Sequence, residues 1–169
     1  MYATTDLNTA QNRGAASLAR ARQRTQQVIQ TLNSLFDRLV PAADLLIRLW
    51  IANVFWKAGL SKIQSMESTI LLFRYEYNVP LLAPEIAAYL ATFSELGFSV
   101  LLALGLAGRL SALSLFILNA VAVISYPALQ AHGLIQHQLW GLLLLVTLLH
   151  GPGRLSLDYL LARKLGLNK

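Results

Sequence analysis

Glu95 is the residue in this sequence with the clearest potential for chemistry, because it interrupts an otherwise apolar run, "YLATFSELGFSVLL". An ionisable side chain at membrane depth costs about 3 kcal/mol on insertion scales, so it usually faces other protein groups and marks function. A buried carboxyl and a histidine can both exchange protons near neutral pH. Glu95, Lys57 and His137 are therefore our candidates for a proton-handling network.

The partner of Glu95 should be a basic residue of the preceding apolar run. If that run points outward and the next one inward, Glu95 is level with residues 51 to 53, with Arg48 about a turn below and Lys57 about a turn above. Asp44 and Arg48 share a helix face at a four-residue step and can satisfy each other. Lys57 has no acid on its own helix, so we predict a Glu95–Lys57 pair and place Arg48 second.

Three further residues are candidates to line a quinone pocket: Asn119, Trp140 and Tyr126. Asn119 lies midway along its apolar run, at a depth close to that of Glu95, and Trp140 shares a helix face with His137. Each also has a structural interpretation, since an ion pair can serve only to fix helix order and Trp and Tyr are common at membrane interfaces. The other histidines fall in a loop and at the opposite membrane face, so we expect no metal site.

The composition indicates an integral membrane protein, because 56% of the 169 residues are hydrophobic and only 13% are charged. The chain has no cysteine, which removes disulfides and thiolate metal sites, so any redox role needs a borrowed cofactor or a partner. The net charge of +6 comes mostly from basic residues beside the apolar segments, where phospholipid head groups are the nearer anions. We therefore expect contact with membrane lipid and no nucleic-acid partner.

The elements that position these residues are four apolar runs long enough to cross a bilayer. They predict an all-α membrane protein, an up-and-down bundle of four transmembrane helices in a domain of residues 39–150. A basic tail with an amphipathic helix (1–38) precedes this domain, and a short interfacial segment (151–169) follows it. The predicted spans are 39–60, 84–106, 109–127 and 134–150, with an outer loop at 61–83.

Basic residues set the predicted orientation, since short loops rich in Lys and Arg stay in the cytoplasm. They concentrate in the first 38 residues, at Arg109 in the tight second hairpin, and in the tail, so both termini should be cytoplasmic. Apolar residues recur at helical spacing before the first span, which predicts an amphipathic helix on the inner leaflet, with a docking arm for a protein partner as the alternative. In the tail, Arg154 and Asp158 lie four residues apart and can pair.

Three ordered motifs make this chain resemble the DoxX family of small bacterial inner-membrane proteins: "GLSKI", "SELGFSVLLALGLAGRLSAL" and "GPGRLSLDYLL". The resemblance covers about residues 42 to 163, and some stretches are most similar to members encoded beside peptide-modifying iron enzymes. It implies a four-helix bundle in the inner membrane and a loose redox theme, since relatives include the membrane subunit of a thiosulfate:quinone oxidoreductase. Carried over onto this sequence, the family's motif residues are Lys62, Glu95, Arg109 and residues 151–158.

Three functions follow as hypotheses. The first is a quinone-linked, redox-associated membrane subunit in which Glu95, Lys57 and His137 handle protons. The second is a non-enzymatic membrane scaffold or assembly partner for a soluble enzyme, and the third is transport of a small ion or metal. A soluble or membrane protein partner is compatible with the first two. The sequence leaves open whether the chain is an enzyme, which cofactor it uses beyond the quinone hypothesis, and whether it forms a homo-oligomer.

Overall fold

The structure, a computed structural model, describes the backbone of residues 3–129 and 133–166 and the side chains of residues 22–129 and 133–166. Within this part of the chain every regular element is a helix, which confirms the all-α prediction. The helices are α1 (Ala3–Gln64), α2 (Met66–Tyr75), α3 (Pro84–Leu104), α4 (Gly108–Ser125), α5 (Leu134–His150) and α6 (Leu157–Lys164).

The chain divides into two units, Met1–Val40 and Pro41–Lys169. In the first unit, the residues with described side chains, 22–40, are helical and exposed throughout. The boundary coincides with Pro41, which lies inside α1 and supplies no backbone N–H to the helix. The second unit contains all the remaining helices and the candidate site.

Three helical segments are long and apolar enough to cross a membrane: Arg22–Gln64, Pro84–Leu104 and Gly108–Ser125. The fourth predicted span corresponds to α5, a shorter apolar helix of 17 residues. The observed ends of α3 and α4 fall within two residues of the predicted ones. Helix α1 continues to Gln64, four residues beyond the predicted end of the first span, and the expected outer loop contains α2.

Helix α2 is fixed at both ends. Ser65 caps its N-terminus by accepting the backbone N–H of Ser68, and the buried Thr69 hydroxyl donates to the carbonyl of Lys62 at 3.0 Å, which joins α2 to the end of α1. Beyond its C-terminus, the backbone N–H of Asn78 donates to the Ser125 carbonyl at 2.7 Å. The segment between α1 and α3 is therefore anchored to α1 and to the end of α4.

Four helices of the second unit meet in one apolar core. Ile51 of α1, Leu102 of α3, Leu115 of α4 and Leu144 of α5 are fully buried there. A second cluster forms where Phe73 of α2 packs on three small buried residues of α3, namely Ala87, Ala88 and Ala91. Because alanine leaves little side chain between the helices, α2 can lie close against α3, and this packing forms one wall of the candidate site.

Candidate functional site

Lys62 and Glu95 form a buried ion pair between α1 and α3. The Lys62 ammonium donates to both carboxylate oxygens of Glu95, at 2.7 and 2.8 Å. The two side chains are only 16% and 9% exposed. A charge-assisted contact to both oxygens offsets part of the free energy that each charge loses on leaving water.

The prediction that Glu95 pairs with Lys57 was wrong. In the structure the cation beside the Glu95 carboxylate is Lys62. A Cβ atom added to Gly59 would lie 2.8 Å from Leu96 Cγ and 3.1 Å from Glu95 Cβ, so Glu95 is level with Gly59 and not with residues 51 to 53. Lys62 follows Gly59 by three residues and shares its helix face. Lys57 precedes it by two residues, points to a different side and is exposed.

The ion pair forms part of the wall of a cavity of about 370 Å³, here called the ion-pair cavity. Its lining is mostly apolar and comes from α2, α3, α4 and the segment between α2 and α3. Leu90 of α3 and Ile117 of α4 line the cavity and are about half exposed, at 52% and 53%. The cavity therefore opens on the molecular surface between α3 and α4.

A stack of three aromatic rings stands at one side of the ion-pair cavity, and two of the rings line it. Tyr77 stacks on Phe73 with ring centroids 4.5 Å apart, and Tyr126 stacks on the other face of Tyr77, also at 4.5 Å. The Tyr126 hydroxyl donates to the Glu76 carboxylate at 2.9 Å, which holds the outer ring in place. Phe73 and Tyr77 line the cavity, whereas Tyr126, a predicted pocket residue, supports them from behind.

Burial, followed by the nearby Tyr126 and Glu95, raises the pKa of Tyr77 to about 12. The Tyr77 phenol therefore stays protonated at physiological pH and can donate a hydrogen bond. Together with the Lys62 ammonium and the Glu95 carboxylate, it gives one polar wall to a cavity that is otherwise apolar. Such a site suits a flat apolar molecule that carries carbonyl or hydroxyl oxygens at one end.

Comparison with known proteins identifies the family. The DoxX family model matches residues 43–128, about half of the chain, including both residues of the ion pair. The chain belongs to the DoxX family. A protein of Haemophilus influenzae (strain ATCC 51907 / DSM 11121 / KW20 / Rd), described as an uncharacterized protein, is 31% identical over 125 residues, which cover 70% of this chain and 83% of that protein. No solved structure matches this DoxX protein.

The predicted residues Asn119, His137 and Trp140 do come together, but none of them lines the ion-pair cavity. The Asn119 amide N–H donates to the His137 backbone carbonyl at 2.9 Å, so the amide oxygen faces the ring nitrogen Nδ1 at 2.8 Å. That oxygen can only accept, so Nδ1 carries the proton in this arrangement. Trp140 packs against the same ring at 4.6 Å, and Asn119 and His137 border a separate groove between α4 and α5.

Arg48 and Asp158 of this DoxX protein tie the tail to the helices instead of making the predicted ion pairs. Arg48 is 2% exposed and donates to the backbone carbonyls of Pro152 and Leu155, the latter at 2.7 Å. Asp158 accepts the backbone N–H groups of Ala107 and Gly108, both at 2.8 Å, at the start of α4. Among the residues with described side chains, the ion pairs are Lys62–Glu95 and Arg74–Glu85.

The other predicted structural residues have smaller roles. Asp44 lies beside Gly153, where a glycine at φ 78° leaves room for the carboxylate. Arg109 donates a long hydrogen bond of 3.5 Å to the Leu149 carbonyl, and Arg154 is exposed. The four-residue step between Arg154 and Asp158 therefore does not produce a pair, because the Asp158 carboxylate faces the start of α4.

Sequence reasoning missed Tyr77 and the aromatic side of the ion-pair cavity. Phe73 and Tyr77 are four residues apart, a helical spacing that could have indicated a helix in the segment predicted to be a loop. The family motif did include Lys62, whereas the comparison of residue depths along the first two predicted spans favoured Lys57. The motif was the better guide because it does not depend on where the helices begin and end.

Proposed function

We propose that this DoxX protein binds the ring of an isoprenoid quinone in the ion-pair cavity, as the membrane subunit of a redox system. The observation that carries the proposal is the buried Lys62–Glu95 pair in the wall of an otherwise apolar cavity. An ion pair that only joins two helices does not require a cavity beside it, whereas a ligand-binding site does. The family membership supports a membrane location, and the redox role is our inference.

The polar wall matches the chemistry of a quinone ring. Lys62 and Tyr77 can donate hydrogen bonds to ring oxygens, and Glu95 can accept one from the hydroxyl of a quinol. The apolar walls suit the ring faces, and the opening between α3 and α4 allows an isoprenoid tail to extend into lipid. The stacked Phe73 and Tyr77 rings add apolar ring edges to the wall of the cavity.

Reduction of the bound quinone requires two electrons and two protons. The chain has no cysteine to hold an iron–sulfur cluster or a dithiol, and we place the redox centre that supplies the electrons on a partner protein. The contribution of this chain is to place the ring and to supply protons. The Lys62 ammonium would give one proton to a reduced ring oxygen, regain a proton from the aqueous phase and give the second, while the Glu95 carboxylate stabilises its charged form between the two transfers.

We also propose that the chain crosses the inner membrane of a bacterium four times, with both termini in the cytoplasm. Helix α5 is about 26 Å long at 1.5 Å per residue, close to the roughly 30 Å of hydrocarbon, so it can serve as the fourth crossing. Basic residues at the start of the chain, at Arg109 and in the tail then all fall on one side of the membrane. Lys62 is in the last turn of α1 and Glu95 is at the middle of α3, so the ion-pair cavity would lie in the outer half of the membrane.

The test is quinone binding by the purified protein in lipid nanodiscs, with a short-chain ubiquinone or menaquinone as the probe. Ligand that binds only the folded state raises the unfolding temperature in proportion to ln(1 + [L]/Kd). We expect both Lys62→Met and Glu95→Gln to weaken binding at least tenfold. Lys57→Met is the matched control, since it removes the same side chain from an exposed position on the same helix.

Two results would overturn the proposal. One is a wild-type protein that shows no saturable stabilisation by either class of quinone. The other is equal binding by the Lys62→Met and Lys57→Met variants, which would place the quinone elsewhere. Tyr126→Phe should leave binding unchanged, because its hydroxyl contacts Glu76 and lies outside the cavity.

A further inference from the structure

Residues 22–40 present a continuous and exposed apolar face. Seven large apolar side chains on this segment are between 48% and 61% exposed. At 100° per residue they occupy about 140° of the helix circumference. They are Val28, Ile29, Leu32, Leu35, Phe36, Leu39 and Val40.

We infer that this face, here called the lead-helix face, binds an anionic phospholipid surface. The segment lies before the part of the chain that the DoxX family model matches, which begins at residue 43, so it is a feature of this chain beyond the family core. It also belongs to the helical segment Arg22–Gln64, which is apolar enough to cross a bilayer and, at 43 residues, is about twice the length that one crossing needs. The chain itself therefore keeps the lead-helix face near the membrane.

The distribution of charge favours anionic lipid as the occupant. On a helical wheel, Arg24 and Arg38 lie along one edge of the lead-helix face and Arg22 lies along the other. Residues 22–40 contain a single acid, Asp37, on the far side of the helix. Arginines at the edges of an apolar face can insert their stems beside acyl chains and keep their guanidinium groups among the phosphates.

A second copy of the chain is the competing occupant, since Val28, Leu32, Leu35 and Leu39 also fit a heptad pattern. A two-stranded coiled coil, however, needs only a narrow seam of a and d positions, with charged residues commonly at the flanking positions. Here Ile29 and Phe36 fall at a flanking position and widen the face. That width favours a lipid surface over a helical dimer.

The experiment uses the full chain in nanodiscs and exploits the absence of cysteine, which makes single-cysteine variants specific. A nitroxide spin label is attached at Leu32→Cys on the apolar face and, as a matched control two residues away, at Ser34→Cys on the polar face. Collision rates with oxygen, which concentrates in lipid, and with a water-soluble nickel chelate are measured for each label. Nanodiscs of phosphatidylglycerol are compared with nanodiscs of phosphatidylcholine.

In phosphatidylglycerol we expect the label at position 32 to collide several times more often with oxygen than with nickel, and the label at position 34 to show the reverse. The contrast should weaken in phosphatidylcholine and when Arg22, Arg24 and Arg38 are all changed to Gln. Equal access of nickel to both labels in phosphatidylglycerol would overturn the inference. So would strong dipolar coupling between labels at position 32 of two chains, which would show that a second copy covers the face. Neither result depends on quinone binding.

Discussion

Removal of the Lys62 ammonium should destabilise the protein far more than removal of the Lys57 ammonium. Lys62→Met keeps most of the apolar stem but leaves the Glu95 carboxylate, 9% exposed, without its cation. Loss of one partner from a buried ion pair costs about 3–5 kcal/mol. Because the two side chains keep 16% and 9% of their surface exposed, we expect the lower end, about 3 kcal/mol.

The assay is thermal unfolding of the purified variants in the same nanodiscs without quinone. For a chain of this size, 1 kcal/mol corresponds to roughly 2–4 °C, so Lys62→Met should lower the unfolding temperature by about 6–12 °C. Lys57→Met, at an exposed position, should change it by no more than about 2 °C. The two variants differ in position but not in chemistry, which makes the comparison direct.

A double-mutant cycle separates the ion pair from other effects of the substitutions. Glu95→Gln alone leaves the Lys62 ammonium without a carboxylate, and the double variant Lys62→Met/Glu95→Gln removes both charges. If the two groups interact as the structure shows, the double variant should lose at least about 1.5 kcal/mol less than the sum of the single losses. Additive losses, or equal effects of Lys62→Met and Lys57→Met, would refute the reasoning.

Three further predictions concern the surroundings of the site. Gly59→Val should lower the free energy of unfolding by about 1–3 kcal/mol, because the added Cβ would press on Leu96. Gly97→Ala should not destabilise the protein, because there is open space at its Cβ. The unfolding temperatures of the two variants test this difference. Asp158→Ala should cost about 2 kcal/mol by leaving two backbone N–H groups at the start of α4 without an acceptor, measured in the same way. Tyr126→Phe should cost no more than about 1 kcal/mol, since the hydrogen bond is exposed and the ring stack remains; a loss above 2 kcal/mol would contradict this.

The positions of the helices could be predicted from the sequence because apolar runs and their breaks are local properties. The observed ends of α3 and α4 fall within two residues of the predicted ones for that reason. The pairing of Glu95 could not be obtained in the same way, since it depends on the register of α1 against α3. Close approach at Gly59 sets that register, and it places Glu95 about two turns further along α1 than residues 51 to 53.

The contacts of the tail could not be predicted for a second reason. Their partners are backbone carbonyl and N–H groups, which every residue carries, so the sequence pattern does not show which of them will be used. Arg48 was expected to pair with Asp44, but the structure gives it the carbonyls of Pro152 and Leu155 more than a hundred residues away. Asp158 likewise accepts backbone N–H groups instead of pairing with Arg154. The ion-pair cavity was also unpredictable, because it forms only where α2 packs on the alanines of α3.

Photolabelling with an azido-quinone tests the central proposal most directly, because it reports where the ring lies. The wild-type protein in nanodiscs would be irradiated with the probe, digested and mapped by mass spectrometry, with unlabelled quinone as competitor. We expect competed labels on the lining of the ion-pair cavity, at residues such as Tyr77, Leu90 and Ile117, and their loss in Lys62→Met but not in Lys57→Met. Competed labels confined to the groove beside His137, or none at all, would contradict the proposal.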